Sequence, residues 1–363
     1  MKIIMIILGI IAITAIGIYM FLQTDIFGAT LTENDLERIR KSVHYKKNKF
    51  ENLSYTPDMQ EGVTYFDIMK EFFKKVSDKE PPKPIPTVKT DLKKLSGDFL
   101  QVVWFGHSSY LVRVDGKNIL IDPVFSKYAS PVPFGAAHFN YTYAYTAADM
   151  PPIDILIITH DHYDHLDYEV VKQLQPTVKQ VVTSLGVGAH LRKWGYDASR
   201  ITELDWHEST AIDNLHFTAT PARHFSGRSF KRNQTFWSSF VLKTPTHKIF
   251  LGGDSGYDTH FKAIGQQYGP FDVAILECGQ YNTYWKDIHM MPEQTAQAAT
   301  ELKAKLLLPV HWGKFSLAPH SWNESIKRVT KKAEELNQPI ATPMIGSPLI
   351  IGSEIKNTNW WNL

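Results

Sequence analysis

The hydrophobic pattern divides the chain into three parts. An uncharged apolar run extends from Ile3 to Leu22. A helix of that length spans about 30 Å, the thickness of the hydrocarbon core of a bilayer. From residue 98 onward, short β-branched runs alternate with amphipathic segments, as in an α/β domain. We therefore predict a membrane anchor over residues 1–23, a juxtamembrane connector over 24–97 and a globular domain over 98–363.

A retained anchor is favoured over a cleaved signal peptide or a buried soluble helix. Signal peptides usually have an apolar run of about 7–15 residues followed by a small-x-small site. Here the run is longer, and the nearest candidate site, Phe27–Ala29, begins with a bulky side chain. Lys2 favours a cytoplasmic N-terminus, whereas Arg38, Arg40 and Lys41 follow the run on its other side. The side of the membrane stays open, with an exported or periplasmic domain favoured.

The connector and the domain contain distinct elements. The connector has helical spacing at Asp35–Arg40 and Tyr65–Val76, and a stiff proline-rich stretch at Glu80–Pro86. The predicted strands of the domain are Leu100–Phe105, Ser109–Val114, Asn118–Ile121, Ile153–Thr159, Gln180–Thr183, Leu215–Thr220, Ser238–Lys243, Lys248–Leu251, Asp272–Leu276 and Lys305–Val310. The predicted helices are Tyr168–Leu174, Val187–Trp194, Thr259–Gln267, Pro292–Lys303 and Ser321–Leu336. Such interleaving fits two sheets packed face to face or one doubly wound sheet, with helices outside.

Composition excludes few functions. The chain has 363 residues and a formal net charge of +2, and its basic residues cluster only at Arg38–Lys49. Nucleic-acid-binding domains concentrate a basic excess on one face, so no nucleic-acid partner is expected. The single cysteine, Cys278, excludes an intramolecular disulfide and a CxxC metal site, and its strand-like surroundings favour a small buried residue.

The strongest chemical signal is Thr159–Asp167, THDHYDHLD, at the end of a predicted strand. Imidazole and carboxylate groups are the ligands that zinc and similar metals prefer. Alternate residues of an extended segment project to one side, so a turn is needed before the last histidine can join the others. Asp161 is expected at the surface. The predicted ligands of this segment are His160, His162, Asp164 and His165.

Three further candidate ligands follow other predicted strands. His224 lies in TPARHFSGR, Asp254 in LGGDSGY between glycines, and His311 in LLPVHWGKF. Each residue alone is more often an ordinary loop residue than a ligand. Together they supply the missing half of a two-metal site.

The motif HxHxDH with these downstream residues resembles the metallo-β-lactamase superfamily. The flanking segments narrow the resemblance to the branch that contains N-acyl-phosphatidylethanolamine phospholipase D and its bacterial relatives. These segments are WFGHSSYLVRVDGKNILIDPVFS, ASPVPFG, PPIDILIITHDHYDHLD, TPARHFSGR, GGDSGY and PVHWGKF. The resemblance covers roughly residues 98–345, which makes 98–363 the expected hydrolase domain.

The resemblance implies a four-layer αββα sandwich preceded by one transmembrane helix, with two Zn²⁺ ions at one edge of the sheets. It implies that Asp254 bridges the two ions. The ligands that it implies are His160, His162 and His224 for the first ion, and Asp164, His165 and His311 for the second. Superfamily penicillinases use a cysteine ligand that this chain lacks at the site, so β-lactam hydrolysis is disfavoured.

The expected activity is a phosphodiesterase of the phospholipase D type, acting on N-acyl-phosphatidylethanolamine or related phospholipids at the membrane. Two divalent ions offset the negative charge that protects a phosphodiester from attack. The candidate catalytic residues are Asp164, Asp254 and His289. Asp254 would orient the attacking water, and His289, in IHMMPEQ, would protonate the leaving group or contact phosphate, unless it is a loop residue without a role. The resemblance places Gln280 and Tyr281 at the substrate pocket.

Several alternatives stay open. A lactonase or other ester hydrolase would use the same metals, an iron-dependent oxidoreductase has the same fold, and a metal-stabilised binding protein would lack turnover. His107 and His320 are weaker site candidates. The aromatic stretch Phe134–Tyr145 is either an apolar flap that touches lipid or a packed loop. The oligomeric state is not indicated.

Overall fold

The computed structural model describes residues 1–363. Local signals set the helix boundaries: for example, the side chain of Asp167 accepts a hydrogen bond from the Val170 N–H and caps the helix that follows. The helices are α1 Lys2–Leu22, α2 Glu33–Ile39, α3 Tyr65–Phe73, α4 Tyr168–Leu174, α5 Gly188–Lys193, α6 His260–Gln267, α7 Pro292–Glu301 and α8 Glu324–Glu335.

A two-strand hairpin in the connector, β1 Tyr45–Lys46 and β2 Lys49–Phe50, precedes the first sheet. That sheet has seven strands in the order β15-β3-β4-β5-β6-β7-β8. From β15 to β5 neighbouring strands are antiparallel, and from β5 to β8 they are parallel. Its strands are β3 Gln101–Trp104, β4 Tyr110–Val114, β5 Lys117–Ile121, β6 Ile153–Ile158, β7 Val178–Ser184, β8 Ile201–Leu204 and β15 Pro348–Ile350.

The second sheet has six strands in the order β14-β13-β12-β11-β10-β9. It is antiparallel from β9 to β12 and parallel from β12 to β14. Consequently β10, β12, β13 and β14 all point the same way. Its strands are β9 Ser209–Ile212, β10 Leu215–Thr220, β11 Ser239–Lys243, β12 Lys248–Leu251, β13 Val273–Glu277 and β14 Leu307–Val310.

The two sheets pack face to face with helices outside. In β6, Ile155 and Ile157 belong to the core shared by both sheets, whereas Leu156 and Ile158 pack with α4 and α5 on the other face. Both faces of this strand are therefore buried, which explains its continuous apolar run. Helices α6 and α7 contact each other, α7 lies against β13 and β14, and α8 packs on α7. This arrangement confirms the predicted αββα sandwich.

Three strands of the sandwich, β8, β9 and β15, were not predicted. All three lie at sheet edges. Their residues are partly exposed, so they lack the apolar run that identifies a central strand.

Helix α1 stands apart from the sandwich. None of its 21 residues is buried, and it is long and apolar enough to cross a membrane. The segment after it packs on the domain: the Trp194 indole donates to the Asp25 carbonyl, and Lys193 donates to that of Gly28. The boundary at residue 98 stays a prediction, but the connector is held against the domain rather than free of it.

The aromatic stretch 134–145 is mostly a packed loop. Phe139 and Tyr145 are buried, and the Tyr141 hydroxyl donates to the Gly313 carbonyl at 3.0 Å. Phe134 is its one exposed aromatic side chain. The packing favours the second of the two interpretations of this stretch.

Candidate metal centre

All seven predicted ligands follow strands whose carboxyl ends meet at one edge of the sandwich. The segment 160–165 follows β6, and His224 follows β10 after a short loop. Asp254 and His311 follow β12 and β14. Since β10, β12 and β14 run in the same direction, their ends bring these side chains to the same place.

The first group consists of three imidazoles. His160 Nε2 lies 2.9 Å from His162 Nδ1, and His224 Nε2 lies 3.2 Å from the same atom. Metal–nitrogen bonds of about 2.0–2.1 Å in tetrahedral geometry separate ligand nitrogens by about 3.3 Å. The three nitrogens are therefore spaced to share one ion of zinc size.

The second group is formed by Asp164, His165 and His311, with Asp254 beside it. His165 Nε2 is 3.7 Å from Asp164 Oδ2 and 3.1 Å from Asp254 Oδ2. His311 Nδ1 is 3.1 Å from Asp254 Oδ1.

Asp254 also faces the first group. Its Oδ2 lies 3.8 Å from His224 Nε2 and 4.0 Å from His160 Nε2. One carboxylate thus lies between the two groups, the position that a bridging ligand requires.

Hydrogen bonds behind the rings orient the ligand nitrogens. His224 Nδ1–H donates to the Ile288 carbonyl at 2.8 Å, which leaves Nε2 as the free lone pair. His165 Nδ1–H donates to the Asp122 carboxylate at 2.8 Å. Asp122 also accepts from the backbone N–H and the hydroxyl of Thr159. A carboxylate behind a histidine is a common support of metal ligands in proteins.

The donor set fits metal ions. Asp254 Oδ1 and His311 Nε2 are buried and lack a hydrogen-bond partner. A buried polar atom without a partner costs about 1–3 kcal/mol. A cation bound beside Asp254 would remove that cost for its Oδ1.

The protonation states of three predicted ligands, His160, His224 and Asp254, suit metal binding. Burial lowers the pKa of His160 and His224 well below the ordinary histidine value, so both rings are neutral. Burial raises the pKa of Asp254, but the nearby His165 and His311 outweigh it and hold that pKa well below its usual value. Neutral imidazole and ionised carboxylate are the forms that bind metals.

Four residues in or behind the site were undervalued or missed. His107 is fully buried and its Nε2 hydrogen-bonds Asp164 at 2.8 Å. Asp122, which supports His165, directly follows β5, so the rule that found the ligands would have found it. Glu277 ends an apolar strand that showed no chemical signal. The fourth residue is Asp161.

Asp161 corrects an expectation, because it is buried rather than at the surface. Its carboxylate accepts hydrogen bonds from the Gly227 N–H at 2.7 Å and the Thr235 hydroxyl at 2.9 Å, and it contacts His190. Because side chains alternate in direction along this segment, the Asp161 side chain points away from the ligands and toward the loop that follows His224.

A cavity of about 340 Å³ opens over the ligands. Its wall is largely apolar and is formed by Met59, Tyr65, Ile68, Phe225, Trp285, Ile288 and Leu317. The polar residues beyond the ligands are Asp58, Arg232, Gln280 and His289.

The predicted substrate residues divide into two kinds. Gln280 and His289 line the cavity. Tyr281 does not: its hydroxyl donates to Glu324 at 2.7 Å, and its ring stacks on His320 at 4.5 Å. The structure thus places Tyr281 beside Glu324 and His320 rather than at the cavity wall.

His289 is held by the missed carboxylate. Its Nδ1 hydrogen-bonds the Glu277 carboxylate at 3.0 Å. Burial lowers the pKa of His289, but the buried Glu277 outweighs it and raises that pKa above its ordinary value.

Comparisons with known proteins agree with this geometry. The model of the β-lactamase superfamily domain matches residues 117–312. An uncharacterised protein of Mycobacterium tuberculosis is 39% identical over 331 residues, which cover 89% of this chain and 88% of that protein. The N-acyl-phosphatidylethanolamine-hydrolyzing phospholipase D 1 of Caenorhabditis elegans is 30% identical over 265 residues, 68% of this chain and 73% of the relative.

The chain belongs to the metallo-β-lactamase superfamily. Within it, the chain belongs to the branch of the N-acyl-phosphatidylethanolamine phospholipases D, as its motifs indicated. This superfamily member is a metal-dependent hydrolase. Its fold matches a solved metallo hydrolase of Ignicoccus hospitalis with a TM-score of 0.55 at 20% identity, covering 70% of this chain and 99% of that one. The roles of the individual site residues stay predictions.

Proposed function

We propose that the protein is a dinuclear zinc phosphodiesterase of the phospholipase D type that acts on N-acyl-phosphatidylethanolamine or related phospholipids. One observation carries the proposal: two ligand groups share Asp254 at the floor of a cavity whose wall is mostly apolar. The floor suits a polar ester and the wall suits acyl chains. The C. elegans relative, by its name, hydrolyses such a lipid.

One cationic side chain at the cavity, Arg232, which pairs with Asp58, favours an anionic substrate over a neutral lactone. Arg232 lies at the cavity with its guanidinium 3.8 Å from the centre of the Phe225 ring. Phe225 in turn packs on His162, with ring centres 4.4 Å apart. A cation so near the ligands would bind a phosphodiester more strongly than a neutral ester.

The residues have distinct roles in this proposal. His160, His162 and His224 would hold one zinc ion, Asp164, His165 and His311 the other, and Asp254 would bridge them. The two ions would neutralise charge on the phosphodiester and activate a water molecule.

The proton transfers involve Asp254 and His289. Asp254 would orient the water, whose oxygen forms the new bond to phosphorus as the bond to the head-group oxygen breaks. Because Glu277 holds Nδ1 of His289, Nε2 is free to donate a proton to the leaving oxygen. The products would be phosphatidic acid and the N-acylethanolamine.

A lipid panel tests the proposal. The full chain in detergent micelles with zinc would be given N-acyl-phosphatidylethanolamine, phosphatidylethanolamine, phosphatidylcholine and an acyl lactone, with products identified by mass spectrometry. We expect phosphatidic acid from the N-acylated lipid, loss of product in His162→Ala, and full activity in the control His207→Ala, whose side chain is exposed. Cleavage of the lactone alone would support the lactonase alternative, and oxidised products with bound iron would support the oxidoreductase.

A further inference from the structure

Helix α3 exposes an unusual apolar surface. Phe66, Met69 and Phe73 are 56%, 48% and 83% exposed, and Tyr65 and Phe72 are exposed as well. These five residues, which we call the α3 face, occupy a helix of only nine residues. Single exposed apolar side chains are ordinary, but a contiguous set marks an interaction surface.

Local capping, rather than burial, holds this helix in shape. The Thr64 N–H donates to the Asp67 carboxylate at 3.0 Å, and the Asp67 N–H donates to the Thr64 hydroxyl at 3.3 Å. No residue of α3 is fully buried. The domain therefore leaves Phe66, Met69 and Phe73 of the α3 face uncovered, and these side chains remain available to another surface.

The α3 face is continuous with the cavity over the ligands. Tyr65 and Ile68 line that cavity. Phe72 stacks on Trp285, another cavity residue, with ring centres 6.2 Å apart. One side of the helix is thus cavity wall and the adjacent side is exposed apolar surface.

Cationic side chains border the same face. The Lys70 ammonium lies 4.4 Å from the centre of the Phe66 ring, and that of Lys79 lies 5.6 Å from Phe72. Lys75 follows the helix and is exposed, and Lys74, also exposed, pairs with Glu71. An apolar stripe flanked by lysines matches the interfacial region of a bilayer with anionic head groups.

The segment after α1 ends beside the same site. Arg228 donates to the Ile26 carbonyl and also to the carbonyls of Asp161 and Leu166, at either end of the ligand segment. The Phe27 ring contacts the Tyr163 ring, with centres 6.4 Å apart. An anchored α1 would therefore keep the ligand segment, and the cavity that α3 borders, close to the membrane.

We propose that α3 docks in the plane of an anionic lipid surface, with Phe66, Met69 and Phe73 inserted among the lipids and the cavity opening toward the acyl chains. The lipid route to the cavity rests on the proposed function, but docking itself can be measured without turnover. The other occupant to test is a second copy of the chain.

Depth-dependent quenching tests the docking. Full-length Met69→Cys and Phe73→Cys chains, labelled with an environment-sensitive fluorophore, would be placed in nanodiscs of phosphatidylcholine and phosphatidylglycerol, with and without doxyl-labelled lipid. The control is Asn214→Cys, in the exposed turn before β10 and hence at the opposite edge of the sheet from the ligands. The wild-type chain, whose Cys278 is buried, gives the labelling background.

We expect blue-shifted emission and at least about twofold quenching by doxyl lipid at positions 69 and 73, and neither at 214. Emission typical of water at both positions would overturn the proposal. A blue shift without doxyl quenching would also overturn it, because protein from a second copy would then cover the α3 face.

A charge variant separates docking from catalysis. Phe73→Glu should abolish the quenching at position 69 and lower hydrolysis of bilayer lipid about tenfold or more, with hydrolysis of a water-soluble phosphodiester unchanged. Quenching at positions 69 and 73 in a chain that hydrolyses no lipid would refute the proposed function alone. Lipid hydrolysis without quenching would refute the docking alone.

Discussion

Asn52 of the connector clamps the backbone of His224, a predicted ligand 172 positions away. The Asn52 side-chain amide donates to the His224 carbonyl at 2.7 Å, and the His224 N–H donates to the Asn52 side-chain oxygen at 3.0 Å. The same oxygen accepts from the Trp237 indole at 3.0 Å. The connector thus contributes to the geometry of the candidate metal centre.

Asn52→Ala should weaken metal binding in the first group. Loss of both hydrogen bonds frees the backbone that carries His224, and loss of outer support typically costs about 10- to 100-fold in metal affinity. Zinc affinity measured by competition with a chelator checks this, with Asn34→Ala, an exposed residue of α2, as the control. Equal affinity in the two variants would show that the clamp does not position the ligand.

Glu277→Gln should lower turnover without removing metal. The variant keeps an oxygen that can accept from His289 Nδ1–H, but it loses the negative charge that raises the pKa of His289, so less of the histidine carries the proton that the leaving oxygen needs. General acid–base catalysis usually contributes about 10²- to 10⁴-fold. We expect kcat to fall in that range, a similar fall in His289→Asn, and an unchanged metal content in both. Loss of one metal ion from Glu277→Gln would instead identify Glu277 as a ligand.

Arg232→Gln should discriminate between anionic and neutral substrates. A hydrogen bond to a charged group contributes about 1.5–3 kcal/mol, so KM for a phosphodiester should rise about 10- to 100-fold. KM for a neutral ester should not change. Asp58→Asn is the matched variant: Asp58 pairs with Arg232, and its loss should lower KM for the phosphodiester. Equal changes for both substrate classes would contradict a role in charge recognition.

Lys314→Met should stabilise the protein most at low pH. Burial lowers the pKa of Lys314 to about 7 from its ordinary 10.5, and Asp167 only partly offsets this. Between these two values the unfolded chain binds more protons at this residue than the folded chain, so its contribution to the free energy of unfolding rises with pH. The cost of burying the charged amine is complete below about pH 7 and disappears toward about pH 10.

The difference in Tm between Lys314→Met and wild type isolates this residue from other titrating groups. We expect the variant to melt higher by a few degrees at about pH 6, with the difference shrinking as the pH approaches 10. A difference that grows with pH would show that Lys314 is charged and stabilising in the folded state.

Elements that combine a clear apolar period with a cap or turn at their ends were predicted almost to the residue. Tyr168–Leu174 and Leu215–Thr220 agree with α4 and β10 at both ends, because each has a cap or turn beside a clear apolar period. The strands β8 and β15 lie at sheet edges, where one edge of each strand has no neighbouring strand. Their sequences show no clear apolar period. Their pairing depends on the sheet already being formed.

The candidate site likewise has features that the sequence predicts and features that it does not. That the seven candidate ligands lie together could be predicted, because each comes within a few residues after an apolar strand, where polar residues are costly unless they are used. The clamp by Asn52 could not, because it joins segments far apart in the chain and Asn52 has no unusual sequence context. The surroundings of Tyr281 and of Asp161 depend on the direction in which each side chain points. The sequence does not fix that direction for a single residue.

The central claim is that the cluster around Asp254 holds two metal ions. Elemental analysis of the full chain, purified without chelator, tests it most directly, with His162→Ala and His311→Ala each removing a ligand of one group. We predict two zinc ions per wild-type chain and a lower content in each variant. A wild-type chain that carries no stoichiometric transition metal, and gains no activity or thermal stability when zinc is added, would contradict the account.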